Sequence, residues 1–229
     1  MAAVETRAKA TVSERRYFSG SATIIGLIVV AGFAPNYLLR LLHHNLTLLV
    51  NLHGFVMTAW VALFLTQTLL VARHRIDLHR GLGRSGAVLV ALVPLIGVPV
   101  LVNAAIRQAH GNDVRFCWML VAFDGVNLVL FAGLAACAIA LRRRSDVHKR
   151  LMLLATLALL GPAFGRLTAY ASGFHGDNDL AVLVLMQAAA LACVAIDAVR
   201  HRRLHPAFAW AAPLVIAANL LTWMAKMEL

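Results

Sequence analysis

Seven apolar runs divide this chain, at residues 20–40, 48–72, 86–106, 117–141, 150–171, 180–199 and 207–225. Each is long enough to cross the hydrocarbon core of a bilayer, which takes about 20 residues of helix. No water enters that core, so a spanning segment must satisfy its own backbone as a helix or within a closed barrel. The runs are too long for barrel strands and do not alternate. The sequence therefore predicts an all-α fold, a seven-transmembrane helical bundle. Composition agrees: 61% of the residues are hydrophobic and 14% charged, against about half and a quarter in soluble domains. This excludes a water-soluble enzyme, a disordered chain and a disulfide scaffold. Seven spans leave only short connections in 229 residues. Residues 20–229 are expected to be one membrane domain behind a polar tail, residues 1–19, with no cleavable signal.

The net charge of +11 would suggest nucleic acid in a soluble protein. Here the cations crowd the connections between apolar runs, which marks topology instead. Sixteen of the 21 lysines and arginines fall on one side, among them Arg15, Arg73, Arg142, Arg143, Arg144, Arg200 and Arg203; four fall on the other, and Arg166 lies inside a span. This predicts a cytoplasmic N-terminus and a periplasmic C-terminus. The expected partners are the lipid bilayer and other membrane subunits, with no role for nucleic acid. Aromatic residues at both interfaces fit this placement, and Trp60 is the only mid-membrane tryptophan. Gly161-Pro162 predicts a bend in the fifth span. Cys117, Cys137 and Cys193 lie in apolar runs without metal-ligand spacing and are read as core residues.

Ionisable residues inside a span are costly and mark candidate sites. Spans four and five are expected to form an antiparallel hairpin, which puts Asp124 and Arg166 at one depth and predicts an ion pair. Asn127 lies one turn from Asp124, and Gln187 enters span six to a similar depth. His53, Met57, Trp60, Phe64 and Gln67 recur at helical spacing and form one stripe on span two, expected to face the bundle. The candidate intramembrane ligand cluster is thus His53, Trp60, Gln67, Asp124, Asn127, Arg166 and Gln187. The alternative is that these groups are interhelical glue.

A second set lies at the basic end: His79, His148 and His205, with Asp197 one turn before His201. Three imidazoles and a carboxylate are a donor set suited to zinc, and two histidines suit axial ligation of haem. The alternative places them as interfacial anchors and helix caps. Pro206 suits a first helical position, which argues against one helix through His201 and His205. Ser145 or Asp146 is the expected cap of the fifth span.

Leu52-His53-Gly54, Thr58-Ala59-Trp60, Gln67, Leu78-His79-Arg80-Gly81-Leu82-Gly83, His148-Lys149-Arg150-Leu151-Met152-Leu153-Leu154-Ala155-Thr156, Arg166 and His205-Pro206-Ala207 resemble a family of uncharacterised bacterial multi-pass membrane proteins. The resemblance runs from Phe33 to Ala209 and implies an inner-membrane location. It implies no settled activity, and His201 matches nothing in its pattern. The functional expectation is a cofactor-binding redox or oxidase-assembly protein with b-type haem. The alternatives are a zinc-dependent lipid hydrolase, a small-ligand or proton-coupled transporter, and a structural subunit of a membrane complex.

Overall fold

A computed structural model describes residues 2–42, 47–109, 119–175 and 178–228 of the chain. Among these residues the secondary structure is helix without strand: α1 (Ala2–Leu42), α2 (Leu48–Ala72), α3 (Ile76–Ala109), a π-helical turn (Met119–Asp124), α4 (Gly125–Ala140), α5 (Ser145–Ala158), α6 (Gly161–Ala171), α7 (Asp179–His201) and α8 (Pro206–Met227). Six helices are long and apolar enough to cross a membrane, and α5 with α6 makes a seventh if that bent pair is one span. The chain is a multi-pass membrane protein.

The pair α5–α6 turns by 45° at its break, where Gly161-Pro162 predicts it. Proline has no amide hydrogen, so Pro162 cannot donate to the Ala158 carbonyl and the helical ladder stops. Leu159 and Leu160 close the end of α5 with tighter bonds to the Thr156 and Leu157 carbonyls (3.2 and 3.0 Å).

Two expected connections are helical. The polar residues 1–19 are read as a tail, yet α1 runs unbroken from Ala2. Residues 73–85 are read as a loop, yet α3 starts at Ile76. Both stretches hold good helix formers such as Ala, Leu and Arg, which sustain a helix past the membrane boundary. The run expected at 117–141 begins outside the described residues, as do Cys117 and Trp118.

The helices pack mainly in sequence order, α2 on α3 and α4 on α5, while α1 closes against α2 and α6, and α8 against α5 and α7. α5 sits at the centre. Leu151, Leu153, Leu154, Ala155, Thr156, Leu157 and Ala158 are all buried, so the second half of this helix is enclosed by its neighbours. The outer helices turn Leu and Val outward; Val129 is 72% exposed. In water such faces would drive aggregation, whereas in lipid they are the solvent contact. On α2 the predicted stripe does face inward, with Trp60 and Phe64 buried. α1 crosses α6 closely at Gly32, where a Cβ would come within 2.8 Å of the Ala163 carbonyl oxygen.

Candidate functional site

Polar side chains gather at two levels. The first lies at the basic end and centres on Arg150. Its guanidinium grips Asp197 with two bonds, Nε to Oδ2 at 2.9 Å and Nη2 to Oδ1 at 2.8 Å, and Nη1 donates to the Asp146 carbonyl at 2.8 Å. Arg150 is 1% exposed and Asp197 fully buried. Phe18 and Phe208 flank the guanidinium, with ring centroids at 6.0 and 5.9 Å. Glu14 of α1 lies 2.5 Å from Lys149, 3.5 Å from Arg150 and 3.4 Å from His201. One cluster therefore ties α1, α5, α7 and α8 together. A buried pair needs this geometry and these extra bonds to offset desolvation.

The basic-end candidates do not converge. Asp197 is held by Arg150. His205 caps α8, its Nδ1 accepting from Ala207 N at 3.1 Å, while Nε2 lies 3.1 Å from Asp146 Oδ2. α7 ends at His201, and Arg202 takes a left-handed conformation (φ 51°), so His201 and His205 share no helix face. Arg144 takes the cap position of α5, with Ser145 as its first residue and no side-chain cap bond; Asp146 in the first turn favours the helix dipole instead. Among the described residues no three His, Cys, Asp or Glu side chains come together as a metal site. His79 and His148 do meet. They come from α3 and α5, with ring centroids 6.4 Å apart and planes at 81°. His148 Nδ1 is hydrogen-bonded to the Ala138 carbonyl at 2.8 Å, and His79 Nδ1 is buried without a partner.

The second level lies in the opposite half. The seven residues expected there as one cluster divide into four places. Asp124 ends the π-helical turn, in the electrostatic field of Arg166 and Asp179. No hydrogen bond or ion pair joins Asp124 to Arg166; Arg166 donates to the Pro162 carbonyl at 2.8 Å and lies 4.3 Å from the Phe33 centroid. The π turn at Asp124 and the 45° bend before Arg166 both depart from the straight hairpin on which the expected pair rests. His53 sits within the field of Arg166. Asn127 donates to the Phe123 carbonyl at 2.9 Å and to Asn219 Oδ1 at 2.7 Å. Gln187 donates to the Ile216 carbonyl at 3.3 Å, one turn from Asn219 on α8. Trp60 packs edge-on against Phe131 at 4.8 Å. Gln67 belongs to the other level, where its backbone lies against the His79 ring.

Several atoms are buried without hydrogen-bond partners: Trp60 Nε1, Gln67 Oε1, Asn127 Oδ1, Gln187 Oε1 and Asn219 Nδ2. Such atoms are rare in folded proteins and point to water or a ligand.

Sequence reasoning missed Arg150 and Asn219. Arg150 follows a run of loop arginines and shares their composition, although it starts a stripe through Leu153, Leu154 and Leu157. Asn219 is a lone amide in an apolar run. Comparisons with protein families, curated proteins and solved structures return no match.

Proposed function

We propose that this multi-pass protein lies in the bacterial inner membrane with its basic end in the cytoplasm, belongs to the family it resembles, and is a redox protein that binds b-type haem between His79 and His148. One observation carries the reading: two imidazoles from separate helices meet edge to face with ring centroids 6.4 Å apart. His79 and His148 would be the two protein ligands that hold the haem iron. A zinc site made by protein ligands needs three or four, and the described residues gather no such set.

Each histidine has the chemistry the role requires. The Ala138 carbonyl on His148 Nδ1 fixes that ring and leaves Nε2 for a metal, the usual outer-shell arrangement. His79 keeps a buried nitrogen without a partner. Arg80 and Arg84 are exposed on the same helix and can pair with anionic groups at the membrane surface. Haem held by these two histidines would supply one-electron transfer.

The test is the absorption spectrum of detergent-purified protein from haem-replete cells, before and after dithionite. The expected result is a Soret band that sharpens on reduction, with resolved α and β bands. Both features disappear in His79→Ala and in His148→Ala and persist in His205→Ala. A spectrum without a Soret band, or bands that survive both substitutions, overturns the assignment.

A further inference from the structure

A groove between α2 and α3 lies outside the candidate site. It has a volume of about 580 Å³ and is lined by Thr66, Leu70, Leu78, Gly81 and Leu82, together with Asp77. Sites for small molecules commonly measure about 300–1,000 Å³. The glycines of α3 give the groove its form. α3 meets α2 closely at Gly83 and Gly86, where a Cβ would stand 3.5 Å from Gln67 Nε2 and 3.4 Å from Leu63 Cδ2. At Gly81 a Cβ would meet nothing within 4 Å, so no side chain fills the gap there. Leu78 and Leu82 are 44% and 40% exposed, and in a bilayer these walls face hydrocarbon. Neither His79 nor His148 lines the groove, so it is independent of the haem assignment.

The groove lies beside the α2–α3 turn, which is rich in cations. His74 takes a left-handed conformation (φ 62°). Its N–H donates to the Val71 carbonyl at 3.2 Å, and the Arg75 N–H to the Leu70 carbonyl at 2.8 Å. These two bonds make a Schellman ending, which holds Arg73 and Arg75 on a fixed turn. Arg73 continues the stripe of Thr66 and Leu70 at helical spacing. Arg75 lies 3.9 Å from Asp77. Arg15 of α1 reaches the same turn, 2.9 Å from Nδ1 of the His74 ring. Arg80 and Arg84 are exposed on the first turns of α3. Asp77 is the one acid among the described residues that line the groove, and it is outnumbered by these arginines.

An apolar trough beside clustered arginines matches a molecule that joins a hydrocarbon chain to a phosphate. Guanidinium groups pair with phosphate oxygens by strong, charge-assisted bonds. Basic pockets between membrane helices at a cytoplasmic face bind such head groups in other proteins. A free phosphate would leave the trough uncovered. We propose that this groove binds one anionic phospholipid, with an acyl chain against Leu70, Leu78, Gly81 and Leu82 and its phosphate among Arg73, Arg75 and Arg80.

Native mass spectrometry of the detergent-purified chain tests this, with titrations of phosphatidylglycerol and of phosphatidylcholine bearing the same acyl chains. The first phosphatidylglycerol should bind about fivefold tighter or more, since each arginine near an anionic head group contributes about that factor. Arg73→Gln with Arg75→Gln should erase the preference. Gly81→Trp, which fills the trough at an exposed position, should abolish the tight phosphatidylglycerol. Gly133→Trp on α4, where a Cβ likewise meets nothing within 4 Å, should retain it. Glycerol phosphate, the head group without chains, should not displace the lipid at equal concentration. The site is overturned by equal affinity for the two lipids or by a preference that survives the arginine substitutions. It is equally overturned by tight binding that survives Gly81→Trp, by the same loss in Gly133→Trp, or by displacement with glycerol phosphate.

Discussion

The Arg150–Asp197 and Asn127–Asn219 clusters both bury polar atoms against α7 and α8, and they differ in saturation. Arg150 spends three nitrogens on three oxygens, with aromatic rings over its faces. Each asparagine uses one end of its amide and leaves the other bare. A saturated cluster fixes positions and offers nothing to a ligand. An unsaturated one is a weaker fastener with polar atoms left over. Buried polarity alone therefore does not find a site in a membrane bundle; the balance of donors and acceptors does.

The contrast can be broken most forcefully at Asp197. Asp197→Ala leaves the Arg150 charge buried without its anion, and removing one partner of such a pair costs about 3–5 kcal/mol. Unfolding in mixed detergent micelles should show that loss. The double variant Arg150→Met with Asp197→Leu should recover most of it, because apolar replacement of a buried pair is often neutral. A double variant as unstable as the single one would mean that the pair does more than satisfy itself.

Substitution in the unsaturated cluster should matter less. Asn219→Leu removes one interhelical hydrogen bond, worth about 0.6 kcal/mol on average in a membrane protein. The loss should not grow when Asn127→Leu is added, since no polar atom of the pair then remains. The smallest effect is expected at Glu14, whose side chain is 23% exposed beside Lys149. Glu14→Gln should lower stability by about 0–1 kcal/mol, and the difference should shrink as salt rises.

Much of the architecture was legible because hydropathy reports where lipid is. The spans, the inward stripe through Trp60 and Phe64, the break at Gly161-Pro162 and the start of α8 at Pro206 all follow from composition, periodicity or proline chemistry. The helical ends of α1 and α3 were not, because hydropathy registers the loss of apolar residues and ignores helix propensity. The π turn leaves no mark in an apolar run, and the expected Asp124–Arg166 pair rests on a hairpin of straight α-helices. Nor can spacing show which cation a helix buries. Arg150 looks like its neighbours Arg142, Arg143 and Arg144 until Asp197 is found opposite it.

The break between α5 and α6 has a mechanical meaning. A continuous helix transmits a push along its hydrogen-bond ladder as a stiff rod. Here the ladder is cut at the Ala158 carbonyl, so the span is two short struts meeting at an angle. The lower strut is bolted at Arg150 to three other helices. The upper strut carries Arg166 and closes against α1 at Gly32. Strain at the Asp124 level can thus relax by tilting α6 without drawing on the clamp below. The molecule is in effect a fixed base with a separately seated upper storey.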